Sequence, residues 1–496
     1  MLGHWRSMEE YQCFVLNEII SIALTNLNFV LEYKSCIEKL WIFNTDRIKY
    51  ITESCYSFTG RPSTNQPELY RAYVLMQSLE LTLSKFHAKL TLNPVIRTIC
   101  GFAHDDIPSI GAFYTFVDRL IKIDDKTRLK IFKNKPKAKY GKGEKMPPKH
   151  KGVVDRLVDK AIAGRNFPHR PELVLQRVFA VVVEQSVQNG LIPNNLIASG
   201  DGTCIITGAS PFGKKICKCS KNGNYKCDCA RKFSDPNATW GWDSHNERYF
   251  YGYTGYFIST YNKDYKLDLP LYLRIVDAKR HDSVSAVVAL MEFRELYPCL
   301  ALEVFVSDSA SDNYATYRLL DHIGANGVIA LSKTKFKKKK YPGISGLDKN
   351  GTPLCPAGHP MVNYGFCGKD RCRIKWRCPR ACGKVEKSEF CDSCSPSPYG
   401  RVCYTKPQWD PRLFTKIPRG TAKWKSIMKQ RTACERVNNR ILNDYGLEKS
   451  KVRGKKRYAF YAMIAGINIH LDAQLKKLHT NGAFNFEDTF GITSAA

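Results

Sequence analysis

A chain of 496 residues with 43% hydrophobic and 12% aromatic content is long enough for more than one packed unit, and its composition excludes disorder over most of its length. Its 77 Lys+Arg against 46 Asp+Glu leave a formal charge of +31; that self-repulsion is relieved by a polyanion, so nucleic acid is the first class of partner and an anionic membrane surface the second. No run approaches the ~18 uninterrupted apolar residues of a membrane span, and Glu9 and Glu10 stand where a signal peptide would be basic and then apolar, so a soluble, unexported protein with no membrane contact is expected.

The N-terminal third reads as helical. Leu69, Tyr73, Met76, Leu79, Leu83, Phe86 and Leu90 recur every three or four residues, and Pro67 suits a first turn, which predicts one amphipathic helix over 67–90. Pro94 opens a helix that Gly101 ends, and Ile110, Phe113, Val117 and Leu120 mark another after Pro108. Such helices fit a helix-turn-helix reader of DNA or a plain bundle equally well. Residues 133–151 carry eight lysines among Pro, Gly and a single acid, a linker that is either a solvated hinge or a phosphate-tracking strap.

Strand patterns begin near 196 with LIASGDGTCII, followed by RYFYGYTGYFIST at 248–260, LPLYLRIVD at 269–277, LEVFVSD at 302–308 and GVIALS at 327–332. A helix over 283–296, capped by Asp282 or Ser283, and another over 313–323 separate the later strands. This predicts a mixed five-stranded α/β sheet with an antiparallel start and a parallel continuation. The rhythm then stops for 333–420, a basic, cysteine-rich insertion opening with Lys333, Lys335 and 337–340, and helices resume over 421–444 and 457–479.

Three acids stand where such a sheet would present them: Asp201 in the first strand, Asp308 ending the fourth, and Glu435 in the helix after the insertion. Converging buried carboxylates require cations, and hard oxygen donors suit two Mg²⁺ or Mn²⁺ ions that activate a hydroxyl for in-line attack on phosphorus. Plain alternatives exist for each: a turn acid at Asp201, a competitor to Asp308 in Asp312, and a surface pair between Arg431 and Glu435.

Of 19 cysteines, four form the C-x-C-x₇-C-x-C hairpin Cys217, Cys219, Cys227 and Cys229, a spacing that closes a tetrahedral Zn²⁺ site. A second group, Cys355, Cys367, Cys372, Cys378, Cys382, Cys391, Cys394 and Cys403 with His359, has ligands enough for two zincs, giving one to three in all. Trp240 and Trp242, between the first and second strands, suit base stacking or, more commonly, core packing and loop anchoring. His245 and His281 read as structural or phosphate-contacting.

SGDGT, SDSASDNYATYRLL, RLFTKIPRG and RTACERVNN, in this order, resemble the bacterial insertion-sequence transposases of the DDE superfamily. The resemblance covers most of the chain. It implies a ribonuclease H-like core interrupted before the glutamate helix, with a helical end-binding domain at 1–132, a linker at 133–152, a helical lead-in at 153–195, core segments at 196–332 and 421–482 around the 333–420 insertion, and a tail at 483–496. It further implies transposition by cutting and joining DNA. Asp201, Asp308 and Glu435 would then hold Mg²⁺, transposon ends and target DNA would be the partners, a homodimer could form in the DNA complex, and the protein would be cytoplasmic and nucleoid-associated. Related readings are a ribonuclease H-like nuclease that cuts without joining and a zinc-stabilised binding protein derived from a transposase. Where many relatives carry a Tyr before and a Lys after the glutamate, this chain has Met428 and Leu442. Phosphate contacts are therefore expected from Arg431, Arg436, Arg440, Lys449, Lys333 and Lys335, with Trp240 near the cut.

Overall fold

The protein is described by a computed structural model that covers the chain except residues 123–128, 132–150, 166, 168–169, 171, 333–339, 369, 390, 392–393, 451 and 493–496; for 129–131 the backbone alone is described. The linker segment 133–150 and both Lys333 and Lys335 therefore lie outside the described residues.

Local signals set the N-terminal helices. Ser7 and Glu10 form a reciprocal capping box for α1 (Met8–Thr25), followed by α2 (Leu27–Glu32), α3 (Lys34–Trp41) and α4 (Asp46–Thr52). The helix expected over 67–90 is two, α5 (Gln66–Ser78) and α6 (Leu83–Leu92), because Glu80 adopts a positive φ of 52° and Thr82 caps the second by accepting from the Lys85 N–H. The apolar spacing runs unbroken through that turn, so periodicity alone cannot reveal it. Asn93 and Pro94 start α7 (Pro94–Cys100), which Gly101 ends in the left-handed region, and α8 (Ile110–Leu120) comes next as expected. Every residue of α5 from Gln66 to Gln77 is buried, so this helix is a bundle member and offers no recognition face.

After α9 (Val153–Ile162) and α10 (Leu173–Gln188) comes the sheet. Its strands are β1 (Asn195–Ile206), β2 (Thr239–Asp243), β3 (Arg248–Asn262), β4 (Leu267–Asp277), β5 (Ala301–Ser307) and β6 (Asn326–Ile329). β3 pairs antiparallel with β1, β2 and β4; β1 and β5, then β5 and β6, pair in parallel. The mixed α/β sheet is thus as expected, with β2 as an added sixth strand: Thr239–Asp243 has a glycine at its centre and turn residues on both sides, so it carries no clear strand pattern. Helices α11 (Asp282–Leu296) and α12 (Tyr314–His322) separate the later strands.

Beyond the insertion, the helix expected over 421–444 is segmented into α13 (Ala422–Met428), a 3₁₀ turn, α14 (Thr432–Asn439) and a π turn. The 26-residue α15 (Lys455–Thr480) is buried on several sides, packing on β4 and against α5 and α10, and α16 (Phe486–Phe490) comes after it. Its polar residues explain how a helix so enclosed stays in register. Asn468 donates to the Val74 carbonyl and accepts from Ser78, while His470 bridges Ser186 of α10 and the Pro270 carbonyl of β4, burial holding its pKa down at about 4. One apolar core therefore runs from the N-terminal helices through α15 to the sheet.

The insertion has its own small core of Tyr341, Met361, Ile374, Trp376, Leu413 and Phe414 around a three-stranded antiparallel sheet of Val362–Cys367, Arg373–Arg377 and Val402–Thr405. Apolar packing here is greater than the cysteine-rich sequence suggests. Among the described residues no helix is long and apolar enough to cross a membrane.

Phe460 of α15 is fully buried between Tyr73 and Phe116. Phe460→Ala should destabilise the protein by about 3–5 kcal/mol, with helical and sheet signals lost together in chemical denaturation. Loss of the N-terminal helices alone would contradict a shared core.

Candidate functional site

The SGDGT segment sits within β1, so Asp201 is a strand residue and not a turn acid. Each flanking glycine is required by a close approach. A Cβ at Gly200 would lie 2.5 Å from the Tyr256 hydroxyl, and one at Gly202 would collide with the Asp282 carboxylate. Because neighbouring strand residues point to opposite faces, Asp282 lies across β1 from the Asp201 side chain.

On the Asp201 face, α14 is fastened to the sheet by Cys434, whose thiol donates to the Phe257 carbonyl, and by Asn438, whose amide donates to Asp201 at 3.2 Å. This places Glu435 on the same helix within electrostatic reach of Asp201. Asp308 terminates β5 and caps the next turn by accepting from the Ala310 N–H. The three acids are thus brought to one region of the sheet, together with Asp282.

The electrostatics record that crowding. Burial first, and then the negative charge of Asp282, push the Asp201 carboxyl up to about 7; Arg431 opposes this, while Asp308 and Glu435 add to it. Burial and Asp308 likewise raise Asp282. The sequence presents Asp282 only as a helix cap, but the cap is His281, whose ring accepts from the Ser283 N–H. An acid at the first helical position directly after β4 is the one sequence signal for it.

The Asp308 and Asp312 alternatives separate cleanly. Asp312 does not cap α12, since Asn313 does; its buried carboxylate is bound by Arg412 at 2.6 Å, accepts from the Ser332 N–H, and lies 3.8 Å from Arg419. Burial alone would raise Asp312, but these hydrogen bonds and charges outweigh it and hold the carboxyl below its usual range. Both arginines belong to RLFTKIPRG, which gives that motif a structural purpose.

The expected DNA-contacting residues divide. Arg431 and Glu435 form the i,i+4 pair, at 2.5 Å, and Glu435 is 45% exposed. Arg436 makes a bidentate pair with Asp268, and Arg440 pairs with Asp472, so both cations are engaged within the fold. Lys449 is exposed. Trp240 and Trp242 are half exposed on β2, opposite Tyr251 and Tyr249, which rules out the core-packing alternative for them.

The Sγ atoms of Cys217, Cys219, Cys227 and Cys229 all lie within 4.8 Å of one another, with two pairs at 3.5 Å. A tetrahedron with Zn–S bonds of about 2.3 Å has edges of ~3.8 Å, so this hairpin could hold a metal ion and matches zinc. A backbone hydrogen bond at Cys219 and a second from Cys227 lower the Cys217 thiol to about 7, while hydrogen bonds to Cys229 and Cys217 raise Cys219. Cys229 is lowered by Cys219 but raised on balance by Cys217 and Cys227; the four thiols thus share protons, and Cys217 is the one held toward thiolate. The insertion differs. Cys403 is buried in the small core against Met361, Cys367 is exposed on its strand, Cys372 occupies a turn with φ 39°, and Cys355, Cys378, Cys391 and Cys394 line a cavity of about 300 Å³ with Cys382 adjoining Cys378. Among the described residues these cysteines form no cluster as tight as the first.

No protein-family model matches the chain, and no curated protein matches it.

Two measurements test these sites. The protonated Asp201 carboxyl stabilises the fold fully below its ordinary pKa of 3.8, and that contribution is lost as pH rises through about 7. Asp201→Asn should therefore melt at least ~2 °C above the parent at pH 8 without divalent cations, and Mg²⁺ should raise only the parent; identical melting behaviour would overturn the crowding. Purified protein should also contain zinc that is lost when Cys217 and Cys229 are both changed to Ser, as read by metal analysis. Undiminished zinc in that variant would exclude the hairpin.

Proposed function

We propose that this chain is a DNA transposase of the DDE superfamily, which cuts phosphodiester bonds at insertion-sequence ends and joins the freed 3′-hydroxyl to target DNA. The observation that carries this reading is the convergence of Asp201, Asp308 and Glu435 from a strand, a strand end and a helix distant in sequence, with the Asp201 carboxyl raised by its acidic neighbours. A sheet that begins antiparallel, continues parallel and reaches the glutamate helix only after an insertion supports a ribonuclease H-like core. The charge of +31 supports a DNA partner.

The donor set fits a divalent cation. Arg431 pairs with Glu435 and acts on Asp201, and the hard oxygens of the three carboxylates suit Mg²⁺ or Mn²⁺. When bound, such ions polarise the phosphoryl oxygen and make a water or hydroxyl nucleophilic near neutral pH. The chain's own groups prepare the geometry: Asn438 orients Asp201, the Ala310 N–H fixes one oxygen of Asp308, and Arg431 restrains Glu435 while offsetting its charge. Keeping Asp312 paired with two arginines leaves Asp308 as the acid available at the end of β5.

Asp201→Asn, Asp308→Asn and Glu435→Gln should each abolish cleavage of DNA carrying the element's ends in Mg²⁺, with end binding nearly unchanged in a mobility-shift assay. A joined product from the parent supports transposition. A nick without joining reduces the activity to a nuclease, and a shift without any cutting overturns an enzymatic reading.

A further inference from the structure

Strand alternation gives the insertion's sheet an inner and an outer face. Ile374 and Trp376 of the middle strand enter the small core, so Arg373, Lys375 and Arg377 emerge together on the other side. There each cation stands over a tyrosine ring: Arg373 3.7 Å from the centroid of Tyr404, Lys375 5.0 Å from Tyr364, and Arg377 4.8 Å from Tyr364 and 5.7 Å from Tyr399. None of the three forms an ion pair among the described residues; all three are partly buried, and the Arg373 Nε is buried without a hydrogen-bond partner.

Alternate residues of a strand stand about 6.6–6.8 Å apart, so this is a row of three like charges at close spacing. Ring quadrupoles ease this repulsion without cancelling it. A polyanion would cancel it, and the rings say which kind. Tyr364 and Tyr399 are 58% and 67% exposed, and a ring face can be met only by a base that is not stacked within a duplex. We propose that this sheet face binds single-stranded nucleic acid, with phosphates on Arg373, Lys375 and Arg377 and unpaired bases on Tyr364 and Tyr399. It lies in the insertion and holds whether or not the carboxylates cut DNA.

The test uses the full chain without added Mg²⁺, so that binding is read apart from cleavage. Fluorescence anisotropy with oligothymidylate and with a duplex of equal length would be recorded over a salt series. Changing Arg373, Lys375 and Arg377 together to Gln should weaken oligothymidylate binding and make the slope of log affinity against log salt shallower by about 2, since each single-strand phosphate contact contributes roughly 0.7. Tyr364→Ala combined with Tyr399→Ala should weaken oligothymidylate about tenfold or more while leaving its salt slope and the duplex affinity unchanged. These two exposed side chains keep the test open if the triple variant fails to fold. Unchanged oligothymidylate affinity in a folded variant, or equal losses on duplex and single strand in the tyrosine pair, would overturn the proposal.

Discussion

The buried carboxylate of Asp312 is the charge on which the central arrangement depends. It sits just past the end of β5, and without partners it would be costly to ionise in that position. Arg412 and Arg419 supply the partners from the far end of the insertion, and Arg419 also donates to the carbonyls of Ile329 and Arg412 and to the Tyr317 hydroxyl. One ion cluster therefore clamps the end of β5, helix α12, the end of β6 and the segment that re-enters the sheet. The insertion can leave the sheet after β6 and return to the same place because that clamp closes the loop.

Helices α13 and α14 lead directly out of the clamp, so the position of Glu435 relative to Asp201 is inherited from it. Cys434 and Asn438 finish the docking on β1 and β3. This division of labour resolves an apparent waste of acids. Asp312 is neutralised by arginines and is structural, whereas Arg431 pairs with Glu435 and acts on Asp201, which Asp282, Asp308 and Glu435 crowd. Two arginines thus serve the one carboxylate of Asp312, while the crowding around Asp201 stays uncompensated enough to raise its pKa.

Strong local patterns make most of the sheet legible in the sequence. The long strands of β-branched and aromatic residues, the amphipathic spacing of α8 and the apolar run of α15 are all readable from pattern, and the helix over 283–296 is readable although its cap is His281. The features that escape depend on tertiary contacts or on residues that carry no punctuation. The break at Glu80 and Thr82 is made by a non-glycine residue at positive φ, and β2 exists because β3 offers it an edge. Asp201, Asp308 and Glu435 can be named from order and motif, but Asp282 cannot, because its relation to Gly202 is a contact between two segments 80 residues apart in which the glycine has no side chain to signal it.

The cations show the same limit with the opposite sign. Motif order points to Arg436 and Arg440 as the phosphate grip beside the glutamate, yet Asp268 and Asp472 hold them, tying α14 and the π turn after it to the start of β4 and to α15. Net charge counts such arginines at full value although each is paired with a carboxylate. Cations without carboxylate partners among the described residues lie elsewhere, and the partly buried row of Arg373, Lys375 and Arg377 is one example. Net basicity therefore does not by itself locate unpaired charge; only the pairing of each cation does.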